Sequence, residues 1–574
     1  MTRPVPLLLL LAGLLFFFAL GSHDLQGSTE ARVAGIAMAM HLDNNWVVPQ
    51  LFREPFLEKP PLSLWLDAGA IRLFGGTPGA VRLASAFAGL FSVMLFYAML
   101  RRFGRPKTLA FSAALILATM ASYWSNVRGV GEDSLLSLGV TTALLAFYQA
   151  MRPESERQGS TTWAWALFTA GMVIATLSKG VLGLAMPGIV IFVYLASTSL
   201  MDKRLRLADW LKPALFTLLA LVPLMIWLGF LFQRGGMQAV GEVLWTNSVG
   251  RFSGSFVEAG HYEPFYYYIA KLPEAFLPWN ILVYLGLWHF RKSLVRNRYR
   301  LFFSVWLVAQ FTLQALVPLM IWLGFLFQRG GMRAVGEVLW TNSVGRFSGS
   351  FVEAGHYEPF YYYIAKLPEA FLPWNILVYL GLWHFRKSLV RNRYHLFFSV
   401  WLVAQFTLLT LASSKRTVYL MTLTPAAAVL AAEYVRVLLK WLKDHKPALY
   451  AYHRRVIGGV FTLAVACYLI AAFWFAPKAD VRQSFVPLIS QIQALQAEGK
   501  EVVLFQPNER IAGASVFYTQ AYLPILQTEA ELQRFLTAKP GNVALLDHTN
   551  DLTAKVTVIK EMAINRQPYY FIEQ

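Results

Sequence analysis

The feature that most limits what this chain can become is the recurrence of apolar runs about 20 residues long. They lie near 4–20, 79–100, 108–124, 134–151, 162–177, 181–199, 213–233, 417–438 and 456–476, with further runs between the seventh and eighth. A helix of that length crosses a bilayer with every backbone group satisfied internally. The sequence therefore predicts a polytopic α-helical membrane protein. Only 14% of the 574 residues are charged, against about 25% in ordinary soluble domains. The net charge of +19 would suit a nucleic-acid partner, but its placement excludes one. Arg101, Arg102, Arg105 and Lys107, then Lys203, Arg204 and Arg206, then Lys440, Lys443 and Lys446 sit in short loops between apolar runs. That is the positive-inside pattern of cytoplasmic loops. The single cysteine, Cys467, rules out an internal disulfide and a cysteine-based metal site.

The run at 4–20 is read as an uncleaved first span, because Gly21-Ser22-His23 makes a poor signal-peptide cleavage site. Residues 220–313 and 315–408 are the same sequence at an offset of 95, differing only at Gln238/Arg333 and Arg300/His395. Structural repeats of long standing diverge; this direct tandem copy has not. Each copy adds two spans and one extracytoplasmic loop, an even number that keeps the downstream orientation. The expected total is about thirteen spans, or about eleven without the duplicated pair. Residues 477–574 change character: short apolar runs at 501–505 and 542–546 alternate with helical stretches at 482–498 and 528–537. They predict a small C-terminal α/β domain, periplasmic by the span count.

The most informative polar stretch is 22–66, just after the first run. It reads Thr29-Glu30-Ala31-Arg32-Val33-Ala34-Gly35-Ile36-Ala37, then Trp46-Val47-Val48-Pro49, then Leu57-Glu58-Lys59-Pro60-Pro61 and an aromatic-apolar run. Its composition predicts two short helices lying on the membrane surface, with Trp65 and Arg72 as interfacial anchors. The order resembles the first periplasmic loop of lipid-dependent GT-C glycosyltransferases, the bacterial aminoarabinose transferase and protein mannosyltransferase superfamily (glycosyltransferase family 39). There the pattern runs Asp-Glu-x-Arg-Tyr-Ala-Glu-Ile-Ala, Trp-x-x-Pro and Phe-Glu-Lys-Pro-Pro. The resemblance covers roughly residues 5–435 and implies a GT-C-like fold.

It also implies chemistry: transfer of a sugar from a polyprenyl-phosphate donor to a periplasmic glycan, lipid or protein. Such a reaction needs a carboxylate base for the acceptor and fixed cations for the leaving phosphate. In relatives the first acid of the Asp-Glu pair usually serves; here Thr29 stands in its place, so the role passes to Glu30 or, second, to Asp24. A solvated acid at a helix start is the ordinary alternative for Glu30. Lys59 is similar to the family's phosphate-contacting lysine, although an interfacial cation would look the same. Arg32, Lys179, Arg251, Lys415 and Arg416 are further candidates for the donor phosphate. Asp133 matches a second-loop acid of the superfamily and would orient other groups; a solvated loop acid is the alternative. His261 and its copy His356, with Arg346 as the copy of Arg251, belong to a loop that covers the donor headgroup in relatives, and copy one is slightly favoured for the site. No cofactor is required, but the family permits a divalent metal ion, for which Glu58 and His261 are the candidate ligands.

All these residues fall on one side of the membrane. The expectation is an enzyme of the bacterial inner membrane with its site facing the periplasm. A transporter or flippase would place ionisable groups deep within spans. A non-catalytic scaffold descended from the enzymes is the other alternative, favoured by Thr29 and by the duplication.

Overall fold

The computed structural model describes residues 4–156, 160–243, 362–386, 388–389, 392–411, 417–547, 556–564 and 567–574. The chain divides into two compact units. One comprises Met1–Leu244, Pro368–Gln405 and Thr417–Gln574, the other Trp245–Leu367 and Phe406–Arg416. In the second unit the described residues are 362–367 and 406–411, all helical. The first unit holds every candidate site residue that the structure describes. Arg251, His261, Arg346, His356, Lys415 and Arg416 lie outside the described residues.

The expected first span is shorter than its apolar run. Helix α1 covers Pro4–Phe17 and gives way to a turn at residues 18–20. Ala19 adopts φ 54°, which a right-handed helix cannot continue. The freed carbonyls of the helix end are capped by Arg128, whose guanidinium donates to Leu15 O, Phe16 O, Phe18 O and Ala19 O at 2.8–3.2 Å. Helix α2 (Gly27–Leu42), the hairpin β1 (Gln50–Leu51) and β2 (Glu54–Pro55), and α3 (Leu62–Phe74) follow. One face of α3 is buried through Leu64, Ala68 and Ile71, while Leu66, Leu73 and Phe74 point outward. Trp65 does not serve as a free anchor: its indole donates to Trp46 O at 2.7 Å and pins the Trp-Val-Val-Pro segment.

Helix α4 (Pro78–Arg102) is capped by Thr77, which accepts from Ala80 N, and ends on Arg101 and Arg102, the charges a helix C-terminus favours. The run at 108–124, expected as one span, is two helices, α5 (Lys107–Ala118) and α6 (Ala121–Val127), bent by 65°. The break is stabilised from a distance. Trp374 Nε1 donates to Thr119 Oγ1 at 2.8 Å, Tyr468 OH to Thr119 O at 2.9 Å, and Ala121 N to Leu372 O at 2.9 Å. Irregular backbone at membrane depth persists only where the protein satisfies it in this way.

Helices α7 (Asp133–Met151) and α8 (Thr162–Asp202) meet at glycines. A Cβ on Gly139 would come within 2.5 Å of Ala175 N, and one on Gly171 within 2.5 Å of Ala143 N. Small residues here let the two backbones touch. The spans expected at 162–177 and 181–199 are the two arms of α8, which breaks at Lys179 (φ −145°) and Gly180 (φ 52°, ψ −125°). Helices α9 (Leu207–Ala220) and α10 (Val222–Gly241) complete the N-terminal part. Among the described residues six helices are long and apolar enough to cross a membrane, or seven if α5 and α6 count as one. Part of the expected total of about thirteen falls outside the described residues; the described ones make a mostly helical molecule with several candidate spans.

The described C-terminal residues include a five-stranded sheet in the order β4-β3-β5-β7-β6. Strands β3 (Val502–Phe505), β4 (Ile525–Leu526) and β5 (Val543–Leu546) are parallel, and β7 (Gln567–Glu573) and β6 (Thr557–Ile564) add antiparallel partners. Strand alternation divides the side chains between two cores. Val502, Leu504, Val543 and Leu545 pack with the helices Val486–Ala497 and Glu509–Thr519. Val503, Phe505, Ala544 and Leu546 pack with Leu532 and Leu536 of helix Glu529–Ala538. Helix Glu509–Thr519 also lies against α2, sharing the core of Val33, Ile36, Ala37, Val516 and Phe517. The sheet thus belongs to the same compact unit as the N-terminal loop.

The duplication has a structural counterpart. Helix α10 comes from the start of copy one, while helix Asn375–Phe385 and most of helix Arg393–Leu411 come from the end of copy two. The first unit therefore takes part of a repeat from each copy. Removing Leu244–Val338, one full offset of 95 residues, rejoins Val243 to Leu339 and restores a single-copy sequence. The expected result is a chain with unchanged membrane yield and melting temperature in detergent. A marked drop in either would mean that the extra copy is needed.

Candidate active site

Two polar assemblies meet at α2. The first is a knot around Arg82, which lies one turn into α4 and is fully buried. Its Nε donates to Glu30 Oε1 at 3.1 Å and its Nη2 to Glu30 Oε2 at 2.8 Å, a two-pronged pair. Its other protons go to Leu20 O, His23 O and Asp24 O at 2.8–3.0 Å. Glu30 also accepts from Gln26 N and Val130 N, each at 3.0 Å. Both oxygens of Glu30 therefore carry two hydrogen bonds. Burial and then Arg82 push the neighbouring His23 imidazole below its ordinary pKa, so the ring stays neutral beside the guanidinium. Asp24 is bound to the C-terminal part: Ser484 Oγ donates to its Oδ2 at 2.6 Å, and its backbone N donates to Asp480 Oδ2 at 3.0 Å.

The second assembly is a chain of ion pairs. Arg32 contacts Glu509 at 2.6 Å and Glu58 at 3.5 Å. Lys59 is 3.9 Å from the same Glu58 oxygen and 2.7 Å from Glu132. Lys179, placed by the break in α8, reaches Glu132 at 2.9 Å and also binds Asp133. Its ammonium stands 4.4 Å from the centre of the Tyr419 ring. Burial disfavours the charge on Glu132, but Lys179 and Lys59 outweigh it and hold the carboxyl well below the usual range. Asp67 on α3 behaves in the opposite way. Burial, and then the charge of Glu132, raise its carboxyl well above the usual range.

The structure thus joins Arg32, Glu58, Lys59, Asp133 and Lys179 in one network and places Glu30 and Asp24 in the adjoining knot. Sequence reasoning missed Arg82, Glu132, Asp67, Tyr419 and Glu509. A lone arginine in an apolar run was a usable signal for Arg82; nothing local marked Glu509. Among the described residues no three His, Cys, Asp or Glu side chains are grouped to hold a metal ion. Glu58 lies between two cations, Arg32 and Lys59, which compete with any metal for its oxygens. Its suggested partner His261 is outside the described residues.

Residues 31–234 match the family model of dolichyl-phosphate-mannose-protein mannosyltransferases. The chain is 29% identical over 314 residues to an undecaprenyl phosphate-alpha-4-amino-4-deoxy-L-arabinose arabinosyl transferase of Proteus mirabilis, covering 53% of each protein. It is 30% identical over 291 residues to the protein of that name from Pseudomonas aeruginosa, covering 50% of this chain and 51% of the relative. The match thus spans about half the length of these curated relatives. In structure the chain resembles ArnT from Cupriavidus metallidurans bound to undecaprenyl phosphate, with TM-score 0.63, 17% identity and 99% and 97% coverage of the two chains. An Archaeoglobus fulgidus oligosaccharyltransferase in the apo form gives TM-score 0.54 at 14% identity, over 95% of this chain and 69% of that one. The chain has the GT-C fold of the ArnT structures, and its N-terminal half is similar in sequence to the mannosyltransferase family model and to the aminoarabinose transferases.

Proposed function

We propose that this chain is a bacterial inner-membrane glycosyltransferase. It moves a sugar from a polyprenyl-phosphate donor to a glycan, lipid or protein on the periplasmic side. The observation that carries this reading is the convergence of Lys59 and Lys179 on the buried Glu132, beside Arg32 and Glu58. Cations held rigidly in a site of low dielectric stabilise charge that develops on a leaving phosphate, and they need no reorganisation to do so. Lys59 is the most exposed of the three cations, at 21% against 13% for Arg32 and 6% for Lys179. It is the cation most open to the donor, with Lys179 and Glu132 fixing its position.

The knot changes the reading of Glu30. A general base needs a free lone pair for the proton of the acceptor, and both Glu30 oxygens are engaged by Arg82 and two backbone N–H groups. Glu30 is the group that positions the first loop, and Asp24, whose Oδ2 accepts from the Ser484 hydroxyl, takes the role of base.

The test is transfer of label from an undecaprenyl-phosphate-linked sugar in membranes containing the full chain. Lys59→Gln should lower turnover by about 10²–10³-fold and Asp24→Asn by about 10²–10⁴-fold. Full activity in Asp24→Asn would move the base elsewhere. Absence of transfer from every lipid-linked donor, with the protein folded, would leave the non-catalytic scaffold as the better account.

A further inference from the structure

The ion network contains one member from outside the family-matched segment. Glu509 opens the helix Glu509–Thr519 beneath the C-terminal sheet, 477 residues along the chain from Arg32, yet it makes the shorter of the two ion pairs of that arginine. Its side chain is 53% exposed, whereas that of Arg32 is 13% exposed. Arg32 does not need Glu509 to stay in place. Glu58 lies on its other side, and the guanidinium carbon is 5.4 Å from the centre of the Phe56 ring.

Two observations give Glu509 a role beyond anchoring. First, the Nε of Arg32 is buried and has no hydrogen-bond partner among the described residues. A charged N–H donor without an acceptor is costly unless a ligand supplies one. Second, among the described residues the charges of this network do not balance. Arg32, Lys59 and Lys179 face the carboxylates Glu58, Glu132, Asp133 and Glu509, three cations against four anions. A phosphate approaching this set meets net negative charge while Glu509 holds Arg32, and a balanced set once Glu509 has let go. Glu132 cannot be the group that leaves, since it is buried between two lysines; Glu509 opens directly to solvent.

We propose that Glu509 is the stand-in anion of the donor site: it holds Arg32 while no phosphate is bound and yields the guanidinium to the phosphate of the lipid-linked donor. The C-terminal part thereby sets donor affinity through one exposed carboxylate. This rests on the reading of the site as one that binds a polyprenyl phosphate. Because an ion pair of this exposure contributes little to stability, its removal leaves the fold intact and shifts only the competition.

The experiment measures binding of undecaprenyl phosphate to the purified full chain in detergent, with undecaprenol and inorganic phosphate as separate probes. In Glu509→Gln the dissociation constant for undecaprenyl phosphate should fall about two- to fivefold, with an unchanged melting temperature. Glu509→Asp should stay near the original chain. Arg32→Gln should bind more weakly and, combined with Glu509→Gln, should erase the gain. Equal tightening for undecaprenol would show that the lipid and not the phosphate is sensed, and would overturn the proposal. Unchanged or weaker binding in Glu509→Gln, with the unaltered chain binding well, would overturn it while leaving the donor reading standing. Failure of the unaltered chain to prefer undecaprenyl phosphate over undecaprenol would overturn the donor reading, and this proposal with it.

Discussion

Arg82→Leu should destabilise the protein by about 3–5 kcal/mol, the cost of leaving one partner of a buried ion pair without the other. The substitution removes the cation that forms a two-pronged pair with Glu30, whose side chain is 14% exposed. It also strips a donor from each of the carbonyls of Leu20, His23 and Asp24. Those three carbonyls mark the passage from α1 to α2, so the whole first loop loses its tether to α4. The measurement is the melting temperature in detergent, together with protease sensitivity between residues 20 and 60. Arg82→Lys should be intermediate, because an ammonium cannot make the two-pronged pair with Glu30. The double change Arg82→Leu with Glu30→Gln should recover part of the loss, since it removes the stranded charge along with its partner. A melting temperature unchanged in Arg82→Leu would show that the knot contributes little and that Glu30 is free for other work.

Much of this site is legible in the sequence alone. Glu30, Arg32, Glu58 and Lys59 lie in one loop whose order carries its own signature, and Lys179 sits before a glycine that can adopt φ 52°. The break in α8 is therefore visible as a Lys-Gly interruption of an apolar run. The break between α5 and α6 is not. Its run is continuously apolar, and the groups that stabilise the kink, Trp374 and Tyr468, lie far along the chain. The acid of the second loop shows a finer limit. Asp133 and Glu132 are neighbours, and both bind Lys179, but Glu132 is the buried one that also binds Lys59. Composition cannot tell which of two adjacent carboxylates the start of a helix will turn inward. Arg82 leaves a signal but an ambiguous one: a single charge one turn inside a span resembles an interfacial residue until the loop is seen to fold back over it.

The C-terminal sheet was expected as a domain of its own, with no feature to connect it to the chemistry. The connection is steric and lies at two glycines. A Cβ on Gly513 would stand 2.2 Å from Ala31 O and 2.6 Å from Arg32 Cα, and one on Gly35 would stand 2.3 Å from Gly513 Cα. Helix Glu509–Thr519 and α2 therefore touch backbone to backbone, directly beside Glu30 and Arg32. Gly513→Val cannot be absorbed by a side-chain rotation, because the atoms in the way belong to the main chain. One helix has to move, and α2 carries both the carboxylate that fixes Arg82 and the guanidinium that faces Glu58. The expected cost is about 3 kcal/mol, the upper end for overpacking a tight core, with loss of both transfer and undecaprenyl phosphate binding. Gly513→Ala should already be harmful. Gly458→Ala, where nothing lies within 4 Å of the added carbon, should be neutral and controls for the generic effect of replacing a helical glycine. Normal stability and binding in Gly513→Val would mean that α2 and the C-terminal helix can separate without consequence. The sheet would then be an appendage, and the pair between Arg32 and Glu509 would lose its structural basis.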